Sequence, residues 1–455
     1  MIVARWLVRL EIPILTAIYV YFVISDQVPL AAFGLLLLIW LARWWTTKRL
    51  TLTTPFDLPI LLLLAWLPLS LSVSIYTWQS LPKVYGVILG VTFFYAIVNT
   101  IQSRRDLSWA VFWLVVVCAA ISFAGLVGTD WAQNKIISAS FIYDRLPRFI
   151  QGIPRSIAGG FARNGVGGTL TFVVPLLASL SLARIKWDAD ERRPTRTNSL
   201  FQRSSAWLWR SAPQSVRVQF KFIVMAAFLL AIGTLALTQS RGGLLGAAVG
   251  LLGVAIWRER RFAWLLVIGA IGLAVLVATG YGNALVNFVL QMDARSGTLA
   301  SRMEVWQRGL MMVQDYPFTG IGIGTYNSIA HLLYPFFIAA PDEVVAHAHN
   351  NLLEVAVDVG IPGLIAYIAL LTGFVVAATR AYRATIDTGV RALIVGLGLG
   401  MLAHQVFGLT DAFILGTKPG VLLWVFFAFT MVIYRQQTTD GGPPFESVGG
   451  PRSAV

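Results

Sequence analysis

Cysteine and charge are what this chain has least of. One cysteine, Cys118, stands among 455 residues, so an intramolecular disulfide framework is excluded and the redox compartment is left open. Charged residues make up 12% of the chain, roughly half of the ~25% a soluble protein carries. No internal repeat, heptad pattern or soluble domain interrupts the sequence. A soluble globular enzyme and a coiled coil are thereby set aside.

Apolar residues take that space. They form 57% of the chain, the mean hydropathy is +0.72, and they run in long uninterrupted blocks. Such blocks mark an all-α polytopic membrane protein, because a helix needs ~20 apolar residues to cross the hydrocarbon core. Twelve spans are expected, near 6–25, 28–45, 57–73, 80–99, 107–128, 165–185, 219–239, 242–257, 262–279, 352–379, 388–408 and 418–434. The tenth is interrupted at Gly360-Ile361-Pro362-Gly363, which predicts a separate short helix at its start. The first span lacks a small-residue cleavage site and is expected to remain as a transmembrane helix.

The net charge of +14 superficially suggests nucleic acid, but its placement argues otherwise. Arg5 and Arg9, then Arg43, Lys48 and Arg49, then Arg104 and Arg105 mark one side, as do the basic loop 186–217, Arg258, Arg260 and Arg261, Arg380 and Arg383, and Arg435. An even number of spans puts all of them on one face, so both termini are expected in the cytoplasm and no nucleic-acid partner is expected. The organisation follows: helices 1–9 over 1–279, an outer loop forming a helical cap over 280–351, helices 10–12 over 352–434, and a disordered cytoplasmic tail over 435–455. A second outer loop covers 129–164. Trp306, Tyr316, Tyr326, Tyr334, Phe336 and Phe337 give the cap enough aromatic surface to pack.

Outer arginines oppose the charge rule and therefore need a reason. Arg241 follows Ser240 and precedes Gly242 and Gly243 in the tight turn between spans 7 and 8. A helix N-terminus, close backbone approach and a guanidinium fork together suit a phosphate or diphosphate; the competing reading is an arginine snorkelling to the interface. Arg163 before span 6, Arg302 in the second loop, and Arg145, Arg148, Arg155, Arg295 and Arg308 add further cations. Arg302 and Trp306 stand at helical spacing, which would set the guanidinium beside an aromatic face.

Two of the four histidines lie in Ala346-His347-Ala348-His349-Asn350-Asn351, just before the tenth span. His349 at a helix mouth, its tautomer fixed by Asn350 or Glu354, can accept a proton from an alcohol near neutral pH. A metal reading of His347-x-His349 lacks a third ligand in the sequence, so no metal and no cofactor are expected. The bland alternative is an ordinary surface or core histidine. His331 reads as a loop residue, and His404, inside span 11, as a secondary candidate. Asp188, Asp190 and Glu191 read as solvated loop. Gly320, Gly322 and Gly324 follow no strand and are expected to make turns after Tyr316-Pro317.

Taken in order, Ser240-Arg241-Gly242, Ser301-Arg302 with Trp306, Tyr316-Pro317-x-x-Gly320-x-Gly322-x-Gly324, and His347-x-His349-Asn350 with Glu354 and Gly360 resemble the O-antigen ligase family, in the group that includes O-antigen polymerases and protein O-oligosaccharyltransferases. The resemblance implies a metal-independent glycosyltransferase of the bacterial inner membrane. Its glycan would move from undecaprenyl diphosphate to a sugar hydroxyl of lipid A–core on the periplasmic side, with inversion at the anomeric carbon. Onto these residues it maps His349, or His347 in its place, as the base, and Arg241, Arg302 and Arg163 on the diphosphate. Ser240, Asn350 and Glu354 would support them. An O-antigen polymerase or protein O-oligosaccharyltransferase fits the same motifs. A lipid or solute transporter is the rival from another class, disfavoured because no repeated halves are visible and the polar residues gather on one face.

Overall fold

The computed structural model describes residues 2–25, 30–129, 131, 143, 145, 150, 160–183, 214–279, 299–338, 344–413 and 415–439. The expectations for Arg148, Arg155, Arg295, the acidic cluster at 188–191, most of the loop 129–164, the cap residues 280–298 and 339–343 and residues 440–455 of the tail lie outside the described residues, whereas 435–439, expected as the start of a disordered tail, continue the last helix. Among the described residues regular structure is helical, apart from one isolated bridge between Thr129 and Phe161.

In chain order the helices are α1 (Ile2–Arg9), α2 (Glu11–Ser25), α3 (Leu30–Thr47), α4 (Asp57–Ser72), α5 (Thr77–Thr100), α6 (Arg104–Gly128), α7 (Arg163–Ser181), α8 (Gln214–Thr238), α9 (Arg241–Arg258), α10 (Trp264–Ala278), α11 (Leu299–Asp315), α12 (Tyr326–Leu333), α13 (Asn351–Ala384), α14 (Thr388–Phe407) and α15 (Val421–Thr439). Each expected span overlaps helix, the first, 6–25, being divided between α1 and α2 at Leu10. Among the described residues eight candidate spans, α5 to α9, the stretch 260–278, α13 and α14, are long and apolar enough to cross a membrane, and α2, α3, α4 and α15 contribute four shorter apolar helices.

Helix starts follow local side-chain chemistry. Ser103 and Asp106 form a reciprocal capping box at α6, and Asp387 accepts from Gly389 and Val390 N–H at α14. Between helices, small residues set the spacing. A Cβ added at Gly246 of α9 would lie 2.3 Å from the Ala403 carbonyl oxygen of α14, and one at Gly400 would lie 2.6 Å from the Phe172 oxygen of α7. Helices α7, α9 and α14 therefore pack backbone to backbone, as membrane helices do when apolar side chains gain little by leaving lipid. A second group brings α4, α5 and α15 around α13, with Trp424 and Phe427 fully buried among them.

Helix α13 is broken where the sequence predicts it. Gly360 sits at φ 72, ψ −177, a conformation essentially restricted to glycine, and an added Cβ would lie 2.3 Å from the Phe318 oxygen. The carbonyls freed by the break find partners: Val357 O accepts from Ile321 N at 2.9 Å, and Asp358 O accepts from the Ser70 hydroxyl at 2.6 Å. Pro317 O accepts from Ile361 N at 2.7 Å. Gly320, Gly322 and Gly324, at φ 67, 101 and 81, are the turns the sequence suggests. Their role is to wrap the interrupted helix.

The described part of the expected cap has an apolar cluster of its own. Val305, Met312, Tyr326, Ile329 and Phe336 bury against Ala348 and Val357 at the start of α13. Of the aromatics expected to pack there, Tyr316 and Phe337 are instead exposed. His331 lies on α12 rather than in a loop, with an exposed ring edge-on to Phe336.

Candidate functional site

The start of α13, the turn 407–413, and the first turns of α7 and α9 meet at one end of the bundle. Asn350 caps α13, its side-chain oxygen accepting from Leu352 and Leu353 N–H at 3.1 Å each. Asn351 N donates to Gly408 O at 2.7 Å, which pins the turn to that helix end. His349 stands just before the cap at φ 49, a left-handed conformation uncommon for a side chain of this size. The Trp306 indole of α11 donates to the His349 carbonyl at 3.4 Å.

Asp411, on that turn, is the residue both imidazoles address. His349 Nδ1 lies 3.2 Å and His347 Nε2 3.3 Å from the same Asp411 Oδ1. His349 N–H donates to His347 Nδ1 at 3.3 Å. That bond leaves His347 with its proton on Nε2, toward the carboxylate. For His349 the carboxylate favours a proton on Nδ1, so Nε2 keeps a lone pair. Sequence reasoning gives the orienting role to Asn350 or Glu354; the structure corrects this, since Asn350 is spent on the cap and Glu354 on another bond.

Electrostatics separates the two histidines. Burial pushes the His347 pKa down to about 4 against the pull of Asp411, so this ring is neutral across the physiological range. Burial works to raise Asp411, but the His349 hydrogen bond and both imidazoles outweigh it and hold the carboxylate below its usual range. The His349 side chain is also the more open, 28% exposed against 16% for His347.

Glu354 acts one step further back. Its Oε2 accepts from Ala348 N at 2.7 Å, the amide between the two histidines, and its Oε1 accepts from Lys83 Nζ of α5 at 2.5 Å. Lys83 also donates to Asp358 Oδ2 at 2.9 Å, while Asp358 Oδ1 takes Gly324 N at 2.8 Å. One buried ammonium thus ties the histidine loop and the glycine turns to the broken helix.

The expected anion-binding residues lie on three helices, each of which has a neighbouring residue packed near this end of the bundle. Ser240 caps α9 through Gly243 N at 3.3 Å, and a Cβ on Gly242 would lie 2.6 Å from Thr410 Oγ1, next to Asp411. Arg241, between them, is exposed. Arg163, expected at the interface, is 7% exposed. It begins α7, where Gly165 faces the Phe413 ring, which lies 5.4 Å from that of His347. Arg302 is half-buried on α11, one turn before Trp306. Among the described residues no cation–aromatic contact joins Arg302 and Trp306; on this helix the contact is Arg308 over Phe337 at 5.4 Å. Arg308 also pairs with Glu304 at 3.6 Å and belongs to the cap's packing. His404, the secondary candidate, is buried, stacked on Phe172 at 4.0 Å, with Nδ1 3.2 Å from Gly168 O. It is a core histidine.

Asp411 also supplies the third donor that the metal reading lacked, since ligand atoms of His347, His349 and Asp411 lie within 4.8 Å of one another. A cation on His347 Nε2 would need the proton moved to Nδ1, where it would meet the His349 N–H. The arrangement suits a hydrogen-bonded pair of imidazoles on one carboxylate better than a ligand set.

Residues 226–368 match the family model described as O-Antigen ligase. That segment contains Arg241, Arg302, both histidines, Glu354 and the break in α13. The chain is also 27% identical over 174 residues to an uncharacterized protein of Haemophilus influenzae, a stretch covering 34% of this chain and 43% of that protein. The motif order, the helical fold of the described residues and the match agree in making residues 226–368 similar to the O-antigen ligase family.

Proposed function

We propose that this protein is a periplasm-facing glycosyltransferase of the bacterial inner membrane, crossing it twelve times with both termini cytoplasmic. It moves O-antigen glycan from undecaprenyl diphosphate onto a sugar hydroxyl of lipid A–core. The observation that carries the reading is the pairing of His349 Nδ1 with Asp411 Oδ1 at 3.2 Å, beside the turn that packs on the start of α9.

In this reading the acceptor hydroxyl gives its proton to His349 Nε2 while its oxygen attacks the anomeric carbon. The bond from that carbon to the diphosphate breaks as the new glycosidic bond forms, so configuration inverts. Undecaprenyl diphosphate leaves as an anion, held by Arg241 and Arg302 with Arg163 behind them. Asp411 keeps the imidazole in the productive tautomer and balances its positive charge after proton transfer. His347, neutral and turned to the same oxygen, holds the carboxylate in place. Charge compensation comes from guanidinium groups, so the reaction needs no divalent ion.

The test is transfer by purified full-length protein with defined donor and acceptors. Arg241→Ala should lower the rate about 100-fold, the scale of losing one preorganised charge contact. EDTA should leave the wild type unaffected. Near-normal transfer by the variant removes the diphosphate assignment, and inhibition by EDTA reversed by Mg²⁺ or Mn²⁺ removes the metal-free mechanism. Label recovered on longer lipid-linked chains or on protein, rather than on lipid A–core, reassigns the acceptor.

A further inference from the structure

A basic groove lies at the opposite end of the bundle and plays no part in the chemistry above. It has a volume of about 710 Å³ and is formed by the end of α3, the connection into α4 and Arg435 on α15. Arg435 lies fourteen residues along α15 from Val421, about 20 Å along the axis at ~1.5 Å per residue, whereas the turn carrying Asp411 precedes the start of that helix.

Its charged lining consists of Lys48, Arg49 and Arg435, without a carboxylate. Among the described residues, two acids of the flanking helices are engaged elsewhere. Asp57 accepts from Thr54 N at 2.9 Å, Thr54 Oγ1 at 2.6 Å and Tyr95 OH at 2.8 Å. Asp106 is closed into the capping box with Ser103. Lys48, at φ 57, carries its ammonium 5.6 Å from the Trp44 ring and 6.0 Å from the Trp45 ring. The exposed surfaces of Trp44 and Leu50 form an apolar flank.

We infer that this groove binds the phosphate of an anionic membrane lipid, with acyl chains against Trp44 and Leu50. Three cations around one cavity match a phosphodiester, whose oxygens accept from guanidinium forks and an ammonium. Basic pockets between helices at the cytoplasmic surface are suited to such headgroups. Inorganic phosphate offers similar oxygens but nothing to cover the indole and leucine, so the apolar flank selects the lipid.

The test is native mass spectrometry of the detergent-purified full chain, titrated with phosphatidylglycerol or phosphatidylcholine. Phosphatidylglycerol should be retained at about tenfold lower concentration, and millimolar inorganic phosphate should not displace it. Replacing Lys48, Arg49 and Arg435 together with Ala should abolish the preference. Thr51→Glu, which adds an acid to the groove lining and leaves all three cations in place, should weaken it and covers the case in which the triple variant does not fold. Equal retention of the two lipids, an unchanged preference in whichever variants fold, or full displacement by phosphate would each overturn the inference.

Discussion

The two ends of this bundle treat charge in opposite ways. At the histidine end Lys83 is paired with Glu354 and Asp358, and Asp411 with two imidazoles, all largely buried. At the other end Lys48 and Arg49 are exposed, with indole rings rather than carboxylates near the ammonium. Buried charge persists only with a partner, whereas exposed charge can await a ligand or water. The first end is therefore a fixed site and the second an open one. Arg43 and Glu11, buried together between α3 and α2, show that pairing on burial applies away from the site as well.

The comparison breaks most sharply at Asp411. Asp411→Asn should lower glycan transfer about 10³-fold, within the range for a mispositioned base, with folding retained; transfer assays alongside a melting curve check both. Retained activity would mean that the carboxylate only packs. Next comes Lys83→Met, which leaves Glu354 and Asp358 facing each other without their ammonium. Loss of one partner from a buried ionic group costs about 3 kcal/mol, so the melting temperature should drop and kcat should fall while KM for the donor is less affected. A melting temperature equal to wild type would mean that water already screens the triad. The smallest effect concerns His347. Its folded pKa of about 4 lies below the ordinary 6.5, so the folded protein binds fewer protons than the unfolded chain between those values, and stability falls as pH drops through that window. His347→Gln should flatten this part of the profile, measured as a smaller loss of melting temperature between pH 7 and pH 5. An unchanged slope would place the titration elsewhere.

Much of the fold was legible because the bilayer demands long apolar runs, and the expected spans fall on helices, eight of them long and apolar enough to cross among the described residues. The break in α13 was legible for a local reason, since glycine and proline within four residues cannot sustain the ladder. Ser240-Arg241-Gly242 could be read as a helix start because a serine cap needs only its own neighbours. Asp411 and Lys83 were not legible as site residues. Their partners stand 62 and 271 residues away, and no periodicity reports a contact that only tertiary packing creates. One signal did exist for Lys83: an ammonium inside a membrane-length apolar run requires a counter-charge, the same reasoning that singled out His404. There it failed, because a histidine can be buried neutral and stack on Phe172, whereas a lysine cannot discard its charge so readily.

The single carboxylate oxygen shared by His347 and His349 has a stoichiometric consequence. Only one of the two rings can become imidazolium beside it, since burial keeps the other uncharged. Under the proposed mechanism the pocket takes up one hydrogen ion per turnover and has to lose it to the surrounding water before the next acceptor docks, so this deprotonation would pace successive transfers.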